Sequence, residues 1–175
     1  EKLLHALETL KRGAGLHLAP EAAVASQAVL DDLRAHPDAI RISAGGSTRR
    51  CNETVHDIDI IVSTKNPAAI SSAFRGHPLV ESVLAAGNTK SSVMLKGGLQ
   101  ADLRVVADEE YPFALMYFTG SKEHNIVLRG LAQDRGWTLN EYRLAPSRQD
   151  APKIPKVSEE RDIYKALGFD YIEPE

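Results

Sequence analysis

Residues 57–62 alternate acidic and apolar side chains in the two-residue period of a β-strand. Three apolar residues fall on one face, whereas Asp57 and Asp59 share the other face with Ile61. Two carboxylates so placed repel each other, and a fold keeps them together when a divalent cation lies between them. The pattern therefore predicts a half-buried strand whose acidic face is either a metal site or a polar, solvated edge.

Apolar residues repeat with helical spacing on both sides of this strand. Pro20 is expected to open one helix that ends before His36-Pro37, and Asn66-Pro67 to open another that ends at Gly76. Residues 40–44, between the first helix and the acidic strand, alternate apolar and polar side chains and predict another strand. Helices packed on a sheet in this way predict an α+β fold.

A second pair of strands is predicted at residues 91–96 and 99–106, joined at Gly97-Gly98 as a two-residue hairpin. Asp102 shares a face of the second strand with Arg104. From that face Asp102 can meet the earlier aspartate pair across neighbouring strands, as a third metal ligand. The alternative is a surface residue or an ion pair with Arg104.

The C-terminal part of the chain is predicted to be mostly helical at first and then irregular. Residues 109–118 predict a helix, and Ser121 is expected to cap another that runs to Asp134. Beyond Tyr142 the composition is linker-like, with one short last helix.

A glycine-rich turn, Gly45-Gly46-Ser47, follows the strand at residues 40–44. Glycine lets backbone N–H groups approach an anion closely, and Ser47 and Arg50 add side-chain donors. A phosphate site that faces a metal site is the arrangement that nucleotidyl transfer requires, because donors hold the triphosphate while metal ions bridge its oxygens to the attacking hydroxyl.

Composition limits the function classes only broadly. The chain has 175 residues, 43% of them hydrophobic, which suits one domain or one domain with a small second. A formal net charge of -3 gives no overall support for nucleic-acid binding, although it is compatible with a local basic surface. Cys51 is the single cysteine, which excludes an intramolecular disulfide. No apolar run reaches membrane length, so we expect no membrane partner. We also expect a monomeric, cytoplasmic protein, or a fragment of one.

Three motifs narrow the chemistry further. The first is Gly46-Ser47-Thr48-Arg49-Arg50 followed by Asp57-Ile58-Asp59, the second is the run from Tyr117 to Asn125, and the third is Leu139-Asn140-Glu141-Tyr142. In this order they resemble the palm and the palm-to-thumb junction of family X DNA polymerases in their bacterial form. The resemblance covers roughly residues 17–150.

The resemblance implies a nucleotidyltransferase palm, with a mixed or antiparallel sheet packed on helices, and a small helix-and-hairpin thumb. Residues 16–107 correspond to the palm and residues 108–150 to the thumb. Residues 1–15 are expected to end an upstream, fingers-like helical region. Residues 151–175 are expected to be a linker and a short helix that lead to a C-terminal domain absent from the chain, so that the chain is interpreted as an excised polymerase core.

The resemblance also implies roles for individual residues. The residues implied to be catalytic and to bind two Mg²⁺ or Mn²⁺ ions are Asp57, Asp59 and Asp102. Those implied to bind the nucleotide are Gly46, Ser47, Arg50, Tyr117, Phe118, Gly120 and Asn125. Those implied to contact DNA are Arg104 and Arg129. By resemblance, Tyr117 restricts the ribose 2′-position, and Arg104 communicates with the Asn140-Glu141-Tyr142 segment.

Each of these residues also has an ordinary structural interpretation. Tyr117 and Phe118 are compatible with the hydrophobic core, and Asn125 and Arg129 with a solvated helix face. Arg49 is a candidate ion-pair partner for Glu53. One departure from the family pattern lies next to the first aspartate, where His56 replaces the usual glycine. We expect this imidazole to weaken nucleotide affinity without abolishing activity.

The function implied is gap-filling DNA synthesis in repair, in which a primer 3′-hydroxyl attacks a deoxynucleoside triphosphate on a primer-template or gapped DNA. Two alternatives remain open. One is a template-independent nucleotidyltransferase that acts on another acceptor. The other is a non-catalytic DNA-holding fragment.

Overall fold

The computed structural model describes residues 15–174, which contain six helices and nine strands. The helices are α1 (Ala19–Arg34), α2 (Gly46–Arg49), α3 (Pro67–Arg75), α4 (Tyr111–Thr119), α5 (Lys122–Asp134) and α6 (Glu160–Ala166). The strands are β1 (His17–Leu18), β2 (Ala39–Ala44), β3 (Thr54–Val55), β4 (Asp57–Thr64), β5 (Val80–Ala85), β6 (Lys90–Leu95), β7 (Gln100–Val106), β8 (Trp137–Leu139) and β9 (Leu144–Pro146). The predicted α+β class is confirmed. The upstream helical region expected at residues 1–15 lies outside the described residues except for Gly15.

A five-stranded mixed sheet, in the order β2-β4-β7-β6-β5, forms the centre of the larger lobe. β4 and β7 run parallel, and the other neighbouring pairs are antiparallel. The parallel register places Asp57 opposite Gln100 and Asp59 opposite Asp102. Asp102 therefore meets the aspartate pair across neighbouring strands, as the alternation of side chains predicted.

One face of this sheet is covered by α1 and α3. The predicted apolar stripe of α1 is buried there, and Asn66 caps α3 by accepting a hydrogen bond from Ala69 N at 3.4 Å. The largest side chains of this core are Ile58, Ile60, Ile70, Phe74, Leu95 and Leu103, all less than 2% exposed. Each contributes about 1.5–3 kcal/mol by burial, so the apolar face of β4 fixes the strand that carries the carboxylates.

The opposite face of the sheet is only partly covered. Tyr111 and Ala114 of α4 pack over Ile61 of β4 and Val106 of β7. From Ile60 onward β4 is therefore buried on both faces, and the prediction of a half-buried strand is wrong for that part. Asp57 and Asp59 stay partly exposed. The acidic face is thus open only at the start of β4, beside the end of α4.

A second hydrophobic core holds the smaller lobe together. It joins α4 and α5 to the β8–β9 hairpin and to α6, with Trp137, Ile163 and Leu167 among its buried residues. The linker expected beyond Tyr142 is wrong at Leu144–Pro146, which is a strand paired with β8. A strand of three residues is too short to give a periodic signal. The short last helix expected there is confirmed as α6, and Ile163 of this helix and Leu167 directly after it are completely buried.

Two smaller features complete the description of the fold. The β6–β7 loop is longer than the predicted two residues, because residues 96–99 separate the two strands. Leu95 N donates to Leu99 O at 2.8 Å across this loop, and Gly97 and Gly98 both take positive φ. Within residues 15–174, no helix is long and apolar enough to cross a membrane.

Arg49 ties the two lobes together. Its guanidinium forms an ion pair with Glu160 of α6 at 2.6 Å and donates to Thr119 Oγ1 at 2.7 Å and to Tyr171 Oη at 3.1 Å. The side chains of Arg49 and Glu160 are only 16% and 6% exposed. Burial by itself would lower the pKa of Arg49, but the hydrogen bond and charge of Glu160 outweigh burial and raise it. The expected pairing of Arg49 with Glu53 is therefore wrong.

Glu160→Ala is expected to lower the free energy of unfolding by about 3 kcal/mol, because it leaves the Arg49 guanidinium charged and uncompensated in the interior. Denaturant titration followed by circular dichroism measures the loss. Asp31→Ala is the matched control, since Asp31 pairs with Arg34 at 2.6 Å with both side chains more than half exposed. That control is expected to cost less than about 1 kcal/mol, and equal losses in the two variants would contradict the assignment.

Candidate active site

The site begins at the turn between β2 and α2, where two glycines pack against Asp59. Gly45 N donates to Asp59 O at 2.8 Å. A Cβ on Gly45 would lie 2.7 Å from Ile61 Cδ1, and a Cβ on Gly46, whose φ is +56°, would overlap the Asp59 carboxylate. Glycine is required at both positions, so the backbone of the turn lies directly against the Asp59 side chain.

Arg50 connects this turn to the end of α4. Its Nη1 donates to the backbone oxygen of Thr119. Gly120, the next residue, has a φ of +71°, and a Cβ there would lie 3.3 Å from Arg50 Nη1. The bond holds the guanidinium at the junction of the two lobes.

The carboxylates of the acidic face carry more negative charge than their neighbours neutralise. Burial raises the pKa of Asp59 to about 7, and the charges of Asp57 and Asp102 add to the rise, whereas Arg104 and Arg50 oppose it. Burial also raises the pKa of Asp57, again with a contribution from Asp102, and His56 opposes that shift. The three aspartates thus form one interacting group in which added positive charge would be favourable.

The three aspartates do not surround a single point at which a metal ion could bind. In the described part of the chain, no three Asp, Glu, His or Cys side chains come close enough to hold a metal ion as they stand. The register nevertheless makes Asp59 and Asp102 direct neighbours on strands about 4.8 Å apart, with Asp57 two residues along the same face. Carboxylate oxygens with unneutralised charge fit a hard divalent cation.

A cleft of about 660 Å³ lies in front of the turn and the aspartate pair. The predicted site residues that line it are Gly46, Ser47, Arg50, Asp57, Asp59, Tyr117, Phe118, Gly120, Asn125 and Arg129. Asp102 and Arg104 do not line it, although β7 places Asp102 beside Asp59. The cleft therefore unites two of the sequence motifs, which lie about sixty residues apart in the chain.

The wall opposite the turn is formed by the last turn of α4 and the first turns of α5. The rings of Tyr117 and Phe118 meet edge to face at 5.2 Å. Asn125 donates from Nδ2 to Tyr117 O at 2.7 Å, and Arg129 donates from Nε to Asn125 O at 3.4 Å. Asn125 is only 8% exposed, so the solvated-face interpretation is wrong for it. Its Oδ1 has no hydrogen-bond partner within residues 15–174.

Arg104 lies behind this wall. Its guanidinium stacks over the Phe118 ring at 4.8 Å, and its buried Nε has no hydrogen-bond partner among the described residues. Asn140 instead caps its own loop, accepting bonds from Tyr142 N and Arg143 N at 2.9 Å. Communication between Arg104 and the Asn140–Tyr142 loop stays a prediction.

Sequence reasoning missed several residues that line the cleft: Leu16, Asn52, Thr54, Lys122 and Glu123. Lys122 and Glu123 lie inside the motif that ends at Asn125, so their place at the start of α5 was a usable signal. Leu16 offered none, because it reaches the cleft only through the pairing of β1 with β3. His56 also lines the cleft, where its exposed imidazole borders Asp57.

The amino-acid sequence of the chain is similar to those of several known proteins. The family model for the DNA polymerase beta thumb matches residues 114–175, which include the segment expected to be a linker. The chain is 38% identical over 138 residues to the DNA polymerase/3′-5′ exonuclease PolX of Bacillus subtilis, and 28% identical over 182 residues to DNA polymerase lambda of Rattus norvegicus. It is 30% identical over 139 residues to the repair DNA polymerase X of African swine fever virus (isolate Pig/Kenya/KEN-50/1950).

These matches cover most of this chain but differ in how much of each relative they span. They take in 78%, 88% and 76% of this chain for the Bacillus, rat and viral proteins. They span 24% of the Bacillus protein and 31% of the rat protein, but 79% of the viral polymerase. Similarity along most of a small polymerase, together with the thumb match, leads to one conclusion: the chain belongs to the family X DNA polymerases.

Proposed function

We propose that the chain is the catalytic core of a template-directed DNA polymerase that fills short gaps during repair. One observation carries the proposal: a single cleft joins the Gly46-Ser47 turn, the Asp57–Asp59 pair and the aromatic end of α4. Donors for a triphosphate, acids for metal ions and a wall for a sugar and base are thereby in one place.

Gly46, Ser47 and Arg50 hold the triphosphate in this proposal. Gly46 has no side chain, so the turn backbone can approach a phosphate closely. Ser47 offers a hydroxyl, and Arg50 offers the N–H groups that do not donate to Thr119 O. Because Arg50 is held at its Nη1, less conformational entropy is lost when a phosphate binds.

Asp57, Asp59 and Asp102 would hold two divalent cations, Mg²⁺ or Mn²⁺, which when bound supply Lewis-acid stabilisation of charge on the phosphate oxygens. In the reaction, the primer 3′-hydroxyl oxygen attacks the α-phosphorus of a deoxynucleoside triphosphate. The bond between oxygen and α-phosphorus forms, the bond from α-phosphorus to the bridging oxygen breaks, and pyrophosphate leaves. Asp102 orients the hydroxyl and accepts its proton.

The opposite wall selects the nucleotide. Tyr117, Phe118 and Gly120 line the sugar pocket, where the Tyr117 ring crowds a 2′-hydroxyl. Asn125 faces the minor-groove edge of the incoming base. Its Oδ1 has no partner among the described residues, and its Nδ2 donates one N–H to Tyr117 O and keeps a second, so both atoms can contact the base. Buried amide groups of this kind discriminate well because a wrong partner leaves them unsatisfied.

Arg129 and Arg104 act on the DNA side, Arg129 on the template strand and Arg104 through its link to the Asn140–Tyr142 loop. We assign residues 16–107 to the palm and begin the thumb at residue 108, and we propose that the chain works as a monomer on primer-template or gapped DNA. Few phosphate contacts are available on so small a surface, so the core alone is expected to hold DNA weakly.

Single-nucleotide incorporation on DNA with a one-nucleotide gap tests the proposal. Each template base is paired with each deoxynucleotide and ribonucleotide, in Mg²⁺ and in Mn²⁺. We expect addition of the deoxynucleotide complementary to the template base. Addition that ignores the template would identify a template-independent nucleotidyltransferase, and binding of DNA without addition would identify a non-catalytic module.

Asp102→Asn is expected to reduce incorporation by at least about a hundredfold, because the amide can neither accept the hydroxyl proton nor bind a metal ion as a carboxylate does. Circular dichroism checks that the variant is folded. Asp134→Asn, at the exposed end of α5, is the control and should keep full activity. Turnover retained by the folded Asp102→Asn variant would remove this residue from the mechanism.

His56→Gly is expected to lower the KM for the deoxynucleotide about threefold, equivalent to roughly 0.7 kcal/mol, with kcat unchanged. The reason is that the imidazole occupies part of the cleft beside Asp57. Steady-state kinetics on gapped DNA measures both constants. An unchanged or higher KM would mean that His56 does not hinder nucleotide binding.

Without metal, the folded chain is expected to lose stability as the pH rises from about 4 to about 7. Because the pKa of Asp59 is raised to about 7, the folded state keeps a proton that the unfolded chain has released, and the free energy of unfolding then decreases with pH. Thermal denaturation in chelator at several pH values measures this slope. Asp59→Asn removes one of the two carboxyl groups with a raised pKa and should make the slope shallower, with Asp57 contributing the remainder, whereas identical slopes would contradict the raised pKa of Asp59.

A further inference from the structure

Gln100 is the neutral member of a group of four residues at the open end of the acidic face, the others being Asp57, Asp59 and Asp102. The parallel register pairs it with Asp57, just as it pairs Asp102 with Asp59. Gln100 and Asp102 are two residues apart on β7 and therefore share a face. The amide Nε2 of Gln100 donates to Asp102 Oδ1 at 3.1 Å, in a partly buried position.

An amide suits this position better than a charged group. A fourth carboxylate would add repulsion to a face where the pKa of Asp59 is already raised by burial and by its acidic neighbours. A cation would compete with the metal ions for the same carboxylates. Gln100 supplies an N–H donor with no net charge, so it can orient Asp102 without altering the charge of the face.

The hydrogen bond occupies one oxygen of Asp102 and leaves the other available. Among residues 15–174, Oδ2 of Asp102 accepts no hydrogen bond, and Asp102 forms no ion pair. Gln100 does not line the cleft that contains the turn. Since the side-chain hydrogen bond of Gln100 among the described residues goes to Asp102, we expect an effect of Gln100 to pass through Asp102 and not through direct contact with the triphosphate.

We propose that Gln100 is a positioning residue that holds Asp102 Oδ1, so that Oδ2 is presented to the metal ion and the primer 3′-hydroxyl. This inference rests on the proposed function, because it assigns Gln100 a part in the same reaction. Residues that orient a metal ligand from behind change metal affinity or activity by about 10- to 100-fold when they are replaced.

Gln100→Met is the informative variant, because it keeps the length of the side chain and removes the donor. We expect kcat on gapped DNA to fall about tenfold, with the KM for the deoxynucleotide within about twofold of wild type. Gln100→Glu replaces the donor with an acceptor that repels Asp102, so kcat should fall further, by about a hundredfold relative to wild type. Gln27→Met is the matched control, since Gln27 makes the same amide-to-aspartate bond, to Asp31 at 2.7 Å, on the exposed side of α1. It should leave kcat unchanged.

A second readout does not depend on catalysis. The affinity of the full chain for Mn²⁺, without DNA or nucleotide, is measured by electron paramagnetic resonance of the free ion. Gln100→Met should weaken Mn²⁺ binding about tenfold in the wild-type background. In the Asp102→Asn background the same substitution should produce no further weakening, because the residue through which it acts has lost its charge.

The outcomes separate this inference from the proposed function. Wild-type kcat and Mn²⁺ affinity in Gln100→Met, with an active parent protein, would overturn the role of Gln100 and leave the polymerase proposal standing. A parent protein that adds no nucleotide would instead overturn the proposed function, and the Mn²⁺ cycle would still decide whether Gln100 acts through Asp102. Equal weakening in both backgrounds would show a general structural effect and also overturn the inference.

Discussion

The contact between the Gly45-Gly46 backbone and the Asp59 side chain is the constraint on which the site depends. Neither glycine has room for a Cβ, and Gly46 needs a positive φ that other residues rarely adopt. Ile58 and Ile60, fully buried behind the same strand, prevent Asp59 from moving away. The glycine turn and the acidic face are therefore held at one fixed spacing, and the chemistry proposed for the cleft follows from that spacing.

The short segment at the end of α4 relates the smaller lobe to this site. Arg50 donates to Thr119 O and Arg49 donates to Thr119 Oγ1, so two neighbouring residues of the turn bind the last residue of α4. Arg49 continues to Glu160 on α6. The wall formed by Tyr117 and Asn125 is thus held in place by residues of the glycine turn. If Arg50 binds a triphosphate as proposed, nucleotide binding and the position of the smaller lobe are coupled.

Most of the site was predictable from the sequence, because its parts are local motifs with strong physical signatures. The alternation at residues 57–62, the glycine turn and the cap at Ser121 each predicted their element, and strand pairing then brought Asp102 beside Asp59. What failed depended on tertiary contacts. Arg49 pairs with Glu160, more than a hundred residues away, and Leu144–Pro146 is a strand only because it pairs with β8. The alternation of β7 predicts that Gln100 shares a face with Asp102, but its hydrogen bond to Asp102 and its position opposite Asp57 emerge only from the structure.

Crystals of the chain with gapped DNA, a non-hydrolysable deoxynucleoside triphosphate and Mn²⁺ would test most directly that one cleft binds both metal ions and triphosphate. Anomalous diffraction locates the Mn²⁺ ions independently of the protein. We predict two peaks between the carboxylates of Asp57, Asp59 and Asp102, bridged to a triphosphate that lies on Gly46, Ser47 and Arg50. Metal ions bound away from these carboxylates, or a triphosphate bound away from the turn, would contradict the proposed site.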